Sequence, residues 1–353
     1  MHDASVRPNV NALPDGFGVR RPPVRIAPEA LTRSYLLSDR ALPLVVEGTV
    51  ETVRLADWLS ANRSAIRGDL RQHGAVLFRG FGVTSPAGLE EVISAISPGL
   101  LEYTYRSTPR SQVSGRIYTS TAYPADQSIP WHNELSYASS WPTMIFFCCV
   151  QPADTGGDTP IADSRRVYAR IDPVIRERFT QGGVTYVRNY SDVVDLPWAE
   201  VFQTIDRAEV ERMCLERGIA LEWRGGSGLR TRQTCQAVTR HPLTGEAVWF
   251  NQAHLFHPSS LPAGVRQSLE SAFSPEDLPR NAFYGDGTPI DDASLDAVRL
   301  AYAAEEARFT WQRGDVLMVD NVLVAHGRAP FAGPRRIIVG MSEPSDTAPN
   351  GGN

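Results

Sequence analysis

The segment "GDVLMVDNVLVAHGRAPFAGPRRIIVGM", residues 314–341, carries the clearest pattern in the chain. Two apolar runs flank an Asp-Asn pair, a His-Gly pair ends the second run, and a proline-containing loop leads through two arginines into a third run. Short apolar runs bounded by turn residues are typical of buried strands. The segment therefore predicts three strands, with His326 at the rim of a sheet.

Short apolar runs of the same kind recur from about residue 115, separated by Gly, Pro, Asn and Asp. Examples are "TMIFFCCV" (143–150), "GVTYVRNY" (183–190) and "EAVWFNQAH" (246–254). Strands at this spacing predict a β-sandwich or barrel. Apolar residues at helical spacing predict flanking helices, which we place at 52–72, 88–97, 164–179 and 207–218. The predicted fold class is mainly β with flanking helices (α+β).

The 353 residues are 42% hydrophobic and 21% charged, which is ordinary for a globular protein. Lys and Arg total 35 against 40 Asp and Glu, a net charge of −5, so we expect no nucleic acid partner. The longest apolar run, "MIFFCCV" (144–150), is too short to cross a bilayer, and the N-terminal segment lacks the apolar core of a secretory signal. The four cysteines form no CxxC pair, and we interpret them as reduced core thiols of a cytoplasmic protein.

The segment "PWHNELSY" (130–137) places His132 and Glu134 two residues apart. Residues i and i+2 of an extended strand point to the same side, so the imidazole and the carboxylate can converge on one point. The pair alone is weak, since polar residues of a surface loop would give it too. With His326 it forms two imidazoles and one carboxylate, the facial ligand set of non-haem Fe(II) oxygenases. The same ligands also bind catalytic zinc, which leaves a Zn(II) hydrolase as an alternative.

Three protein ligands on one side of a metal leave coordination positions free for an anionic chelator. If that chelator is a diacid, its second carboxylate needs a cationic side chain nearby. Arg335 and Arg336 follow His326 by nine and ten residues at the start of the next strand. Alternation along a strand allows only one of them to face inward. A guanidinium there can bind a carboxylate through two parallel hydrogen bonds. We interpret Arg335 as the solvated member of the pair.

These residues resemble the taurine dioxygenase and clavaminate synthase-like superfamily of Fe(II)- and 2-oxoglutarate-dependent oxygenases. The matching motifs are His132-x-Glu134, "GGDT" (156–159), His326 and "RRI" (335–337), and "HPLTGEAVWFN" (241–251) resembles the segment between the ligands. The likeness covers roughly residues 70–342, with the motifs in order.

The resemblance implies a distorted double-stranded β-helix (jelly roll) that uses Fe(II), 2-oxoglutarate and O₂. It implies His132, Glu134 and His326 as catalytic metal ligands. It also implies that Thr159 and Arg336 bind the far carboxylate of 2-oxoglutarate. The expected reaction is oxidation of an unactivated C–H bond, most often hydroxylation, although the family also desaturates, epoxidises and closes rings.

Two departures narrow the substrate. The carboxylate ligand is Glu134, as in the clavaminate synthase-like branch, and it fills the space that halogenating relatives leave for chloride. The position of the sulfonate-binding arginine of the taurine enzymes is Gly340, which disfavours a catabolic sulfonate or aryloxyacid dioxygenase.

A narrower likeness to syringomycin-type aspartate hydroxylases of peptide antibiotic pathways lies in four segments: "YTSTAYPADQSIPWHNELSY" (118–137), "VFQTIDRAEVERMC" (201–214), "GLRTRQ" (228–233) and "WFNQAHLFH" (249–257). It implies an amino acid or a related compound as the substrate, free or tethered to a carrier protein.

Asn251 and Gln252, with Thr119 and Thr121 before the metal-binding segment, are the candidate substrate-lining residues. Hydrogen-bonded structural roles are the alternative for each. The arginine that would bind a substrate carboxylate stays open, as does the oligomeric state.

The first and last metal ligands are 194 residues apart yet must meet at one ion, which favours one catalytic domain. We expect an irregular N-terminal arm at 1–45, a single jelly-roll domain at 46–345 with a lid insertion at about 185–240, and a flexible tail at 346–353. A catalytically silent jelly-roll binding protein is the alternative from a different functional class.

Overall fold

The computed structural model describes residues 31–37, 41–102, 112–120, 123–191, 196–226 and 228–345. In chain order the α-helices of this part are α1 (Leu55–His73), α2 (Pro86–Ile96), α3 (Ser164–Arg170), α4 (Pro173–Gly182), α5 (Trp198–Phe202), α6 (Arg207–Glu216), α7 (Ala253–Phe256), α8 (Ala263–Ala272) and α9 (Asp292–Glu305). The strands are β1 (Thr32–Leu36), β2 (Leu44–Gly48), β3 (Ala75–Arg79), β4 (Gln112–Ser114), β5 (Ile117–Thr119), β6 (Ile129–His132), β7 (Pro142–Gln151), β8 (Thr155–Gly156), β9 (Ile161–Asp163), β10 (Val184–Tyr190), β11 (Ala220–Trp223), β12 (Leu229–Cys235), β13 (Val238–Arg240), β14 (Ala247–Trp249), β15 (Arg280–Tyr284), β16 (Glu306–Ala307), β17 (Val316–Asp320), β18 (Val324–Arg328), β19 (Phe331–Ala332) and β20 (Arg336–Pro344).

Two sheets form the jelly roll that the sequence predicted. The larger has the strand order β1-β2-β3-β17-β7-β20-β5-β4, and the smaller has the order β16-β9-β18-β6. The sequence of strand β7 is continuously apolar because both faces of the strand are buried. Ile145, Phe147 and Cys149 pack against the smaller sheet in one core cluster, whereas Phe146 and Cys148 pack in another cluster with helices α1 and α2. A strand buried on both faces carries apolar residues at every position.

Helix α1 covers the outer face of the large sheet. Leu55, Leu59, Ile66 and Leu70 are buried at helical spacing. The helix ends at Gly74, which has φ 74° and donates its N–H to the Leu70 carbonyl. A Cβ at this glycine would lie 2.4 Å from Val324 Cγ2, so glycine lets the helix turn directly into β3 beside the small sheet.

The segment expected as a lid insertion, about 185–240, is a folded unit. Strands β10 and β12 pair over seven residues each in the antiparallel sheet β11-β12-β10-β15. Helices α5 and α6 join β10 to β11, and their buried residues belong to the same core cluster as β10. Strand β15 (Arg280–Tyr284) completes this sheet by pairing with β10, so the insertion is joined to the rest of the chain through the sheet and through the shared core cluster.

Several boundaries differ from the sequence prediction. The arm predicted to be irregular up to residue 45 contains β1, which pairs with β2 from Thr32 opposite Gly48. The single helix predicted at 164–179 is two helices, because Asp172 caps a new helix that begins at Pro173. Helix α9 was missed, although Asp291 caps it through the Ser294 N–H. The tail at 346–353 lies outside the described residues.

The four cysteines are free and buried, as predicted. Burial raises the pKa of Cys148 and of Cys149 to about 12, so both thiols stay protonated and unreactive at neutral pH. Among the described residues, none of the helices has the length and apolar character needed to cross a membrane.

Candidate active site

The three predicted metal ligands meet at one point. One nitrogen each of His132 and His326 and one carboxylate oxygen of Glu134 lie within 4.8 Å of one another. The strand pairing explains the meeting, because His326 of β18 lies directly opposite His132 of β6. The two imidazole rings have centroids 4.5 Å apart. Glu134 and His326 are buried, and His132 is half-buried.

The tautomer of His132 follows from its contact. Its Nδ1 lies 2.9 Å from the carbonyl oxygen of Pro130. A carbonyl only accepts hydrogen bonds, so Nδ1 carries the hydrogen and Nε2 offers its lone pair to a metal. Such a second contact orients a metal-binding histidine.

Glu134 lies beyond the end of β6, in a turn, and not on an extended strand as predicted. Buried Asn321 fixes this turn. Its Oδ1 accepts the Glu134 N–H at 2.7 Å, and its Nδ2 donates to the Glu134 carbonyl at 2.9 Å and to the Pro142 carbonyl at 2.8 Å. Asn133, between the two ligands, donates in return to the Asn321 carbonyl at 2.7 Å. The Asp-Asn turn of the opening segment therefore positions a metal ligand that is 187 residues away.

The pocket of the metal ligands also contains hydrogen-bond donors for an anion. Thr159, His132, His326, Arg328 and Arg335 line it together. The Thr159 hydroxyl accepts a hydrogen bond from Trp311 Nε1 at 3.1 Å. Its own hydrogen is therefore available to donate into the pocket.

The structure contradicts the predicted orientation of the arginine pair. Arg335 lines the pocket, whereas Arg336 is exposed. Alternation explains the result, because Ile337 and Val339 lie in the core between the two sheets and Ile338 lies in the core below α1 and α2. Arg335 shares the face of Ile337 and Val339.

The two glycines of the "GGDT" motif allow close packing, of Gly157 against Arg335 and of Gly156 against the Pro330 backbone. Gly157 has φ 75°, and a Cβ there would lie 3.0 Å from Arg335 Cδ. Its carbonyl accepts the Arg335 Nε–H at 3.0 Å. A Cβ at Gly156 would lie 2.3 Å from the Pro330 carbonyl oxygen. Burial, and then the nearby Arg328 charge, lower the pKa of Arg335 to about 10, so the guanidinium stays charged at neutral pH.

Arg328 is a site residue that the sequence analysis missed. It is buried, and its guanidinium donates to the carbonyls of Tyr123 at 3.0 Å and Gln127 at 2.9 Å. These bonds hold the loop that leads into β6. The preceding Gly327 is equally constrained, because a Cβ would lie 2.6 Å from the Ile129 carbonyl oxygen. The sequence signal was the tripeptide "HGR" (326–328), of which only the histidine was interpreted.

Among the described residues, the candidate substrate residues do not line the metal pocket. Thr119 shares the face of Ile117, which packs toward α1 and α2, and Ser120 lines the metal pocket instead. Asn251 donates to the Ala237 carbonyl at 2.8 Å, and Gln252 donates to the Asn133 carbonyl at 2.9 Å. Both amides therefore support the backbone, and neither lines the metal pocket. Thr121 lies outside the described residues.

This arrangement defines a facial 2-His-1-carboxylate site beside an anion pocket in a jelly roll. The profile of the "Taurine catabolism dioxygenase TauD, TfdA family" matches residues 38–342, and the chain belongs to that family. It is similar to the dapdiamide synthesis protein DdaC of Enterobacter agglomerans, with 43% identity over 275 residues, 78% of this chain and 84% of that protein. It is also similar to the clavaminate synthase-like protein At3g21360 of Arabidopsis thaliana, with 32% identity over 288 residues, 77% of this chain and 82% of the relative.

Among solved structures, PvcB of Pseudomonas aeruginosa superposes with a TM-score of 0.55 at 15% identity, over 90% of this chain and 94% of the other. This likeness confirms the fold. The protein is a non-haem Fe(II)- and 2-oxoglutarate-dependent dioxygenase. The donor set fits that cofactor, because two imidazole nitrogens and one carboxylate oxygen form the ligand set of such iron sites.

Proposed function

We propose that this enzyme oxidises an unactivated C–H bond of an amino acid or an amino-acid-derived compound in secondary metabolism, most simply by hydroxylation. The observation that carries the proposal is the shared pocket of His132, His326, Thr159 and Arg335, with Glu134 completing the metal cluster. The relative with 43% identity, which is named for dapdiamide synthesis, supports a biosynthetic role.

In this proposal His132, Glu134 and His326 hold Fe(II), and Thr159 and Arg335 bind the far carboxylate of 2-oxoglutarate. With both bound, the site supplies oxidation of a substrate C–H bond by O₂, coupled to conversion of 2-oxoglutarate to succinate and CO₂. The guanidinium of Arg335 is half-buried and charged. It therefore favours binding of an anion such as a carboxylate. Arg328, which lines the pocket, holds the loop before β6 through the carbonyls of that loop.

The alternatives fit these residues less well. The sulfonate enzymes of the family carry an arginine four residues after the 2-oxoglutarate arginine, but here the residue four after Arg335 is buried Val339, and Gly340 faces Ile93 on the helix side. A zinc hydrolase gives no reason for Thr159 and Arg335 to share the metal pocket. A catalytically silent binding protein would not need all three metal ligands.

The test has two stages. Anaerobic addition of Fe(II) and 2-oxoglutarate should produce the visible absorption of the chelate, and a panel of free and carrier-loaded amino acids should then be screened for succinate release. Mass spectrometry of the product separates insertion of one oxygen, by hydroxylation or epoxidation, from loss of two hydrogens, by desaturation or ring closure. Absence of the chelate absorption with iron-loaded protein would contradict the proposal.

We also propose that the 185–240 unit closes over the site as a lid and that the enzyme works in the cytoplasm. The four free, buried cysteines support a reducing compartment. Because β15 pairs with β10, closure would move the sheet β11-β12-β10-β15 together with the helices α5 and α6. Limited proteolysis within it should slow when Fe(II), 2-oxoglutarate and substrate are added, and unchanged cleavage would contradict the lid.

A further inference from the structure

A second cavity lies beside the metal site. It has a volume of about 200 Å³, and Leu135 and Met341 are among its lining residues. Leu135 directly follows the ligand Glu134. Met341 is two residues after Val339, which lines the metal pocket, and both share the inner face of β20. Two residues of a strand span about 6.6 Å, so Val339 and Met341 place this cavity next to the metal pocket along β20.

The size of this cavity selects a small ligand. At about 30 Å³ for each water molecule, 200 Å³ holds roughly seven waters. This space is sufficient for a small amino acid.

The charges that line the cavity are of opposite sign. Glu102 and Arg217 both line it, with the hydroxyl-bearing Ser139 and Ser140 on the same wall and apolar Trp141 beside them. An α-amino acid carries an ammonium and a carboxylate group and matches this pair. Glu102 also contacts Arg116 at 3.4 Å in an exposed ion pair. Exposed pairs of this kind contribute little because water screens them, so a ligand ammonium can replace this partner.

The position of Arg217 is fixed by its backbone. Its carbonyl accepts from Gln233 Nε2 at 2.9 Å and from the Ser139 hydroxyl at 3.5 Å. Its N–H caps the end of α6. Arg217 therefore lies where the 185–240 unit joins the segment that follows Glu134, and the unit contributes a cation to the cavity.

We infer that this cavity binds a free α-amino acid, with its carboxylate on Arg217 and its ammonium on Glu102, and that the side chain extends toward the metal. The inference rests on the proposed function and deepens it. It commits to a free amino acid because a carrier-bound thioester has lost the carboxylate charge that Arg217 would bind.

The experiment uses the iron-loaded enzyme and a panel of α-amino acids. The amino acid that gives the largest succinate release is compared with its N-acetyl and carboxamide derivatives. We expect both derivatives to have a KM higher by roughly 10- to 150-fold, the equivalent of a charge-assisted hydrogen bond of about 1.5–3 kcal/mol. Arg217→Gln should raise the KM for the parent amino acid similarly while the KM for the cosubstrate 2-oxoglutarate is unchanged, and it should abolish the penalty of the carboxamide. Glu102→Gln should abolish the penalty of the N-acetyl derivative.

Arg212→Gln on α6 and Glu90→Gln on α2 are matched controls, because both residues are exposed and neither lines the cavity. Both variants should leave all KM values unchanged. Thermal melting of each variant shows that it is folded. The inference is overturned if the chelate absorption forms but only a carrier-loaded amino acid, or no amino acid, triggers succinate release. Loss of the chelate absorption itself would overturn the proposed function, and the inference with it.

Discussion

The metal-binding turn and the cavity beside it share the segment that follows His132, yet their polar groups are held differently. At the turn, Asn133 and Asn321 are completely buried; the Asn321 amide binds the backbone of Glu134, and the Asn133 amide donates to the Asn321 carbonyl. In the cavity, Glu102 is exposed and Arg217 is half-buried. A buried amide that loses its partner costs about 1–3 kcal/mol, whereas an exposed charge is solvated by water. The turn is therefore rigid, whereas substitutions of the charged residues that line the cavity should cost the fold little stability.

This difference explains why the reaction class is easier to identify than the substrate. The metal ligands depend on neighbours that burial fixes, such as Gly327 against the Ile129 carbonyl. The cavity depends on exposed residues, for which many sequences fold equally well. Four experiments test this contrast.

Removal of a metal ligand should have the largest effect. Glu134→Ala removes the only carboxylate of the cluster that the described residues form. We expect loss of Fe(II) binding and of all turnover, while the fold is retained because Asn321 binds only the backbone of residue 134. Titration with Fe(II) under anaerobic conditions measures the loss. Iron affinity equal to that of the wild type would show that the cluster is not the metal site.

The arginine pair offers a matched comparison. Arg335→Gln should raise the KM for the cosubstrate 2-oxoglutarate by roughly 10- to 150-fold, since it removes a charge-assisted hydrogen bond of about 1.5–3 kcal/mol. Arg336→Gln should change this KM less than twofold, because Arg336 is exposed. Steady-state kinetics with varied 2-oxoglutarate measures both. The reverse order would restore the assignment made from the sequence.

The arginines also show what the sequence could predict and what it could not. His132 and His326 were identifiable because few residue types bind iron and their order along the chain is distinctive. The facing arginine was not, because Ile337, Ile338 and Val339 are all buried and an unbroken apolar run does not mark the inner face. The partners of Asn251 and Gln252 could not be predicted for a related reason. Their amides bind backbone carbonyls of distant segments, and a sequence does not show such partners.

Asn321→Asp tests the rigid turn itself. The aspartate keeps the shape and the acceptor for the Glu134 N–H but removes both donations, to the carbonyls of Glu134 and Pro142. Loss of such support for a metal ligand typically lowers metal affinity by roughly 10- to 100-fold. We expect the metal affinity of this variant to fall by at least about tenfold. Isothermal titration with Co(II) measures it without turnover.

Asn281→Asp is the control for this variant, because Asn281 is also buried and donates to a backbone carbonyl, that of Pro275, in the β15 region. It should lower stability without lowering metal affinity. An equal loss of Co(II) affinity in both variants would mean that the effect is general destabilisation.

The smallest effect concerns the stability of the metal-free protein in acid. His254 is buried, its Nε2 lies 2.9 Å from the Trp131 carbonyl, and burial lowers its pKa from 6.5 to about 3. Between these values the unfolded state binds the proton and the folded state does not, so stability is complete above pH 6.5 and falls as the pH is lowered toward 3. The slope from this residue is at most about 1.4 kcal/mol for each pH unit. Urea unfolding between pH 7 and pH 4 should show a shallower slope for His254→Gln, which keeps a donor for the carbonyl but does not titrate. An identical slope in both proteins would mean that other groups cause the loss of stability in acid. It would also mean that buried His254 tolerates a charge as readily as the exposed residues of the cavity do.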